Sequence, residues 1–184
     1  MQALNQTANE SWLKTYYFAR AAVSIAWIVA AISLAPRSAG IAAILLVFYP
    51  LWDALANLAD ATRSGGLAQN RPQAFNVAVS LVVAAAVWLA LPDMHHVLAV
   101  FGVWAILSGL LQLGAGLRRR KLYGAQWAMM LSGGQSALAG ATFIFQAQAA
   151  AEPSISTVVG YAGFGAFYFL VSAISLTFRA RKTA

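Results

Sequence analysis

Apolar residues fall in six runs, at 17–35, 40–59, 74–91, 97–117, 123–145 and 157–178, and the polar residues collect between them. Each run has the roughly 18–23 residues that cross about 30 Å of hydrocarbon. In a bilayer an open segment satisfies its own backbone only as a helix, so the pattern predicts six spanning helices. Breakers mark the joints: Pro36-Arg37-Ser38, Ser64-Gly65-Gly66 with Arg71-Pro72, Pro92-Asp93 and Glu152-Pro153. Residues 1–16 form a polar lead-in ending in Trp12, Tyr16 and Tyr17, side chains that favour the headgroup level. No cleavable-signal pattern precedes the first run, which is expected to stay as an anchor. Pro50 lies inside the second run; it frees the carbonyl of Leu46 and predicts a kink there.

The runs repeat in pairs. Pro36, Pro92 and Pro153 each follow the first run of a pair, at separations of 56 and 61 residues. Arg63, Arg118 and Arg179 each end the second run, at separations of 55 and 61. Two markers that move together predict three tandem helical hairpins, at about 17–64, 72–121 and 122–182, within one domain over 17–183. Hairpins that enter and leave on one side are parallel repeats about the membrane normal.

Charge sets the expected orientation. Arg118-Arg119-Arg120-Lys121 is a run of four cations between two apolar segments, and it reads as a cytoplasmic loop. Of the 12 Lys and Arg residues, 11 fall at the N-terminal end, the second-to-third and fourth-to-fifth connections and the C-terminal tail. Arg37 alone falls on the other side. The expected architecture is an all-α protein of six transmembrane helices with both termini cytoplasmic. Composition agrees: 61% of residues are hydrophobic, 9% are charged, and the mean hydropathy is +0.69. The net charge of +7 would suggest nucleic acid in a soluble chain. Here the cations end apolar runs, so anionic lipid at the cytoplasmic face is the expected partner, and nucleic acid is not. The absence of cysteine excludes disulfides, thiolate nucleophiles and Cys-ligated metals.

Candidate chemistry is sparse. Asp53, Asn57 and Asp60 share one face of the second helix by their i, i+4, i+7 spacing. Asp53 precedes Arg63 by 10 residues, about 15 Å of helix, which puts it near the bilayer midplane. A carboxylate there costs about 2.5–3.5 kcal/mol on insertion scales, so it should face protein or a wet cavity. It is either a proton- or cation-binding group or an interhelical clip to Asn76, Gln112 or Gln135. Asp60 is expected to pair with Arg63 along the helix. His95 and His96 could sense acid, since histidine changes charge near pH 6.5, or simply sit in a hydrated loop. Gly102, Gly109 and Gly116, with Gly133 and Gly140, make stripes at heptad spacing that suit close helix packing. No metal-ligand spacing, nucleophile elbow or phosphate loop occurs, and the spans lack the axial histidines of a haem site. The chain therefore reads as a non-enzyme without catalytic residues, metal or other cofactor.

Three hairpins, a proline after each first helix, and the stretch Trp104-Ala105-Ile106-Leu107-Ser108-Gly109-Leu110-Leu111-Gln112-Leu113 running to Leu117-Arg118-Arg119 resemble the HdeD-like acid-resistance membrane proteins. The resemblance covers about residues 17–182, including Leu131-Ser132-Gly133-Gly134. It implies a multi-pass protein of the bacterial inner membrane, linked to acid or other stress and without an agreed activity. The first unit departs from it at residues 52–60, where Asp53, Asn57 and Asp60 replace a small-residue turn. The other expectation is a small proton or cation channel or transporter built on Asp53. Polar residues look clustered in helix two, which favours a cytoplasm-facing pocket walled by Trp52 and Trp104 over a pore. A homo-oligomer or a membrane-protein partner is compatible with either reading.

Overall fold

The second connection shows how local chemistry sets the helix boundaries. α2 (Ala39–Arg63) stops where Gly65 and Gly66 take φ of +98° and +91°, values that L side chains rarely adopt. The Gly66 N–H donates back to the Ala61 carbonyl at 2.8 Å. The Asn70 amide then donates to the carbonyls of Ser64 and Gly66 at 2.7 and 2.9 Å, closing the loop. α3 (Arg71–Ala90) starts at once, with Pro72 in its first turn where a missing N–H costs nothing.

The computed structural model describes residues 2–91, 93–121 and 126–182, with side-chain surroundings over 11–178. The other helices are α1 (Gln2–Ser33), α4 (Met94–Arg119), α5 (Gln126–Gln146) and α6 (Ile155–Lys182), and a single 3₁₀ turn, Ala35–Arg37, links α1 to α2. No strand occurs among the described residues. All six helices are long and apolar enough to cross a membrane.

The helices overrun the apolar runs in the sequence. α1 begins at Gln2, so the polar lead-in is not a separate segment but its first turns; residues 1–33 contain no Gly or Pro to stop them. α2 reaches Arg63, α4 starts at Met94 and ends at Arg119, and α6 starts at Ile155. The expected start of the fifth run and the Pro92 marker lie outside the described residues. α2 is continuous through Pro50. The Trp27 indole donates to the carbonyl of Leu45 at 2.8 Å, beside the one that Pro50 frees.

The helices form a ring. α4 packs most extensively on α5, α1 on α6 and α2 on α3, with lighter contact between α3 and α4, α5 and α6, and α1 and α2. The tightest pairs are therefore not the consecutive helices of each expected hairpin. In the α4–α5 pair, a Cβ added at Gly109 would stand 2.6 Å from the Gly133 carbonyl oxygen, and one at Gly133 would stand 2.6 Å from that of Gly109. Gly102 and Gly140 face each other in the same way, and a Cβ at Gly116 would meet Met130. The glycine stripes let two backbones touch.

One end of the ring is filled with apolar side chains from all six helices, among them Trp27, Leu46, Val87, Phe101, Phe143 and Val158. These residues lie toward the Ala35–Arg37 turn and the α3–α4 and α5–α6 connections. A second cluster, with Leu13, Tyr17, Met129, Phe169 and Leu176, joins α1, α5 and α6. The opposite end, carrying the α2–α3 and α4–α5 connections, is called the basic end below.

Gly109→Ala should destabilise the protein by about 1–3 kcal/mol, because the new methyl meets backbone that cannot rotate away. Gly134→Ala, with open space at that position, should be neutral or stabilise by up to about 1 kcal/mol. Thermal denaturation of the two variants side by side checks the contrast.

Candidate functional site

The buried carboxylate of Asp53 draws four elements together. It is paired with the Arg20 guanidinium of α1, and the two side chains are 9% and 14% exposed. Its second oxygen accepts from the Asn57 amide at 3.1 Å, the Asn76 amide at 3.2 Å and the Ser80 hydroxyl at 2.9 Å. The Trp104 indole of α4 donates in turn to the Ser80 oxygen at 3.0 Å. Three donors thus converge on one carboxylate oxygen, and Arg20 holds the other. Arg20 also donates to the Tyr16 hydroxyl at 3.0 Å and lies over the Phe169 ring at 4.3 Å from its centroid.

Asp60 is a second centre, about two turns away on the same buried face of α2. It accepts from Arg119 at 3.2 Å, and from the Gln73 amide and the Trp12 indole at 3.4 Å each. This corrects the expected pair with Arg63. Arg63 is exposed and lies over the Trp12 ring at 4.9 Å. α4, across the ring, brings Arg119 into the interior, where the lower dielectric strengthens the attraction beyond what a solvated i,i+3 pair offers.

Around these centres lies a cavity of about 130 Å³, lined by residues of all six helices. Its polar lining recurs at helical spacing: Tyr16, Arg20 and Ser24 on α1; Gln73 and Asn76 on α3; Ser108 and Gln112 on α4; Ser132 and Ser136 on α5; Tyr161 and Tyr168 on α6. The expectation that polar residues cluster in helix two is thus corrected. Trp52 and Trp104 both line the cavity, as do Asp53, Asn57 and Asp60. Tyr49, Trp104 and Tyr161 make its aromatic side, with ring centroids 5.8 and 6.3 Å apart in that order. The Tyr161 hydroxyl is 2.6 Å from that of Ser136. A second hollow of about 170 Å³ at the basic end is lined by Gln69, Asn70 and Arg118. It shares Pro72, Gln73, Ala115 and Arg119 with the first.

The remaining candidates separate. Of the three clip partners considered for Asp53, Asn76 reaches it, whereas Gln112 donates to the Met129 carbonyl at 3.1 Å and Gln135 does not bond it. His95 and His96 sit in the first turn of α4, far from the cavity. The His95 ring is 3.2 Å from the Ala147 carbonyl, and His96 faces Asp93 at 3.1 Å with its side chain 75% exposed. Of the basic run, Arg118, Arg120 and Lys121 are exposed, and Arg119 turns inward. No group of three His, Cys, Asp or Glu placed to hold a metal occurs among the described residues.

The sequence reading missed Arg20, which it counted with the cytoplasmic cations. The signal was available: Arg20 lies three residues inside an apolar run and needs an intramembrane partner, as Asp53 does. Ser80 gave no signal, because a lone serine in an apolar helix commonly bonds its own backbone.

Losing either member of a buried pair strands the other's charge. Asp53→Ala should therefore cost about 3–5 kcal/mol, while the double change Arg20→Met with Asp53→Leu should recover much of that loss. Chemical denaturation of the single and double variants measures the coupling.

Asp93 caps α4, accepting from the His95 backbone N–H at 2.8 Å, and that bond holds its carboxyl below the ordinary value of 3.8. A depressed folded value means stability that is present above pH 3.8 and lost as pH falls through the folded value. Asp93→Ala should lower the melting temperature near neutral pH, and the gap from the parent should close in acid. Melting curves across that range check this.

The chain matches no family model, no curated protein and no solved structure at a significant level.

Proposed function

We propose that this is a multi-pass protein of the bacterial inner membrane with both termini in the cytoplasm. In this reading it is of the HdeD-like type, acting without catalysis in acid or stress resistance through a cytoplasm-facing polar cavity. The observation that carries the reading is the cavity's asymmetry. Two buried ion pairs and polar groups from six helices surround it, and apolar side chains from the same six helices fill the far end. A conducting path needs polar groups at several depths across about 30 Å. Here Leu46, Val87, Val97, Leu98, Phe101 and Val158 occupy the far half, each at most 2% exposed.

The orientation rests on the cations. Arg20 leaves the cytoplasmic count because it is paired inside the bundle, yet ten cations still oppose Arg37. In this reading each hairpin takes a third of the ring, and residues from all three line the cavity. A proton or cation channel is the second reading. The hydrogen-bonded row Trp104–Ser80–Asp53–Arg20–Tyr16 favours it, but Trp104 packs into the apolar cluster where that row ends.

Purified protein in liposomes should pass no more protons or potassium than protein-free vesicles at about pH 5 and about pH 7. A strain lacking the protein should lose survival in acid. Robust flux that disappears in Asp53→Asn would overturn this reading in favour of the channel.

A further inference from the structure

The axial cavity has an unused set of hydrogen-bonding groups. Four of the residues that line it each hold a buried side-chain atom without a partner in the protein: Arg20 Nε and Trp52 Nε1, which donate, and Asn76 Oδ1 and Gln135 Oε1, which accept. They come from α1, α2, α3 and α5. Burying a donor or acceptor unpaired is costly, and a folded protein pairs most of them. Ser172 Oγ is the other such atom among the described residues, and it lies outside the cavity lining.

Charge narrows what could answer these groups. Arg20 with Asp53, and Arg119 with Asp60, leave the cavity formally neutral. A guest of net charge would sit uncompensated in a low dielectric. A cation at Asp53 would meet a carboxylate whose charge Arg20 already balances at one oxygen, with Asn57, Asn76 and Ser80 donating to the other. A guest must instead offer acceptors to Arg20 and Trp52, and donors to Asn76 and Gln135. The faces of Tyr49, Trp104 and Tyr161 suit an ammonium group held near them. At about 130 Å³ the cavity has room for about four waters, or one solute of a few heavy atoms. The hollow at the basic end shares Pro72, Gln73, Ala115 and Arg119 with it.

We propose that this cavity is a binding site for a small, net-neutral zwitterion of the amino-acid type, its carboxylate toward Arg20 and Trp52 and its ammonium toward Asn76 and Gln135. The proposal rests on the cytoplasm-facing cavity proposed above and assigns it a ligand class.

The test uses the full-length protein in nanodiscs, titrated calorimetrically with alanine, serine, acetate and choline. Alanine or serine should bind saturably at about one per chain, while acetate, which carries only the carboxylate, and choline, whose quaternary ammonium has no N–H to donate, should not. Trp52→Phe removes the indole N–H and Gln135→Met removes the side-chain amide, so each should weaken binding by about tenfold or more. Ser172→Ala should leave binding unchanged. Melting curves of the free variants confirm that they fold; if one does not, the other carries the comparison. Absence of saturable binding by either amino acid overturns the proposal. So does equal binding of acetate or choline, or binding that both cavity variants leave intact. If no zwitterion binds and the liposomes still show no flux, the ligand class is wrong and the non-conducting reading stands.

Discussion

The bundle depends on the solvation of one carboxylate. Asp53 lies about 15 Å of helix from the end of α2, where lipid supplies no hydrogen bonds. Its charge has to be met by protein groups, and these come from different helices: Arg20 from α1, Asn76 and Ser80 from α3, and Trp104 from α4 through Ser80. Each donor constrains the rotation of its helix about its own axis. An apolar helix in lipid has little else to fix that rotation, because lipid tails are as apolar as its side chains. Asp60 repeats the arrangement nearer the basic end, with Arg119, Gln73 and Trp12.

Where charge does not hold the helices, shape does. α4 and α5 meet through glycines facing backbone, so dispersion contacts and close carbonyl approach replace side-chain interlocking. That pair carries Trp104, Ser108 and Gln112 on one side of the cavity and Ser132, Gln135 and Ser136 on the next. The lighter contact between α5 and α6 is bridged by the Ser136–Tyr161 hydroxyl pair and by Phe143 against Tyr161, 5.7 Å between centroids. Polar groups thus do the orienting in one half of the ring, and close packing in the other.

The two ends of the ring obey opposite rules. At the basic end, helix termini, amides and paired charges keep the interior polar. At the far end, Trp27, Leu46, Val87, Phe101 and Phe143 exclude such groups, and the Trp27 indole is satisfied by a backbone carbonyl rather than by the cavity. A polar cavity ending on an apolar cluster is the contrast on which the proposed non-conducting reading rests. That physical contrast bears on function more directly than any single residue does.

How much of this was legible beforehand follows from the range of each signal. The six helices were readable because span length and backbone satisfaction in lipid are local constraints, visible in runs of apolar residues. The glycine spacing and the shared face of Asp53, Asn57 and Asp60 were readable because helical period places them, whatever the neighbours are. The partners were not. Arg20 is 33 positions from Asp53, and Arg119 is 59 from Asp60. Nothing local distinguishes Arg119 inside the bundle from Arg118 and Lys121 outside it. The sequence by itself determined which segments are helices and which residue types lie at bilayer depth. The tertiary structure decided that the tightest pairs are α4 with α5, α1 with α6 and α2 with α3, and that one polar stripe from each helix converges on a single cavity. Those outcomes depend on each helix's rotation, which only the packed neighbours and the buried charges can set.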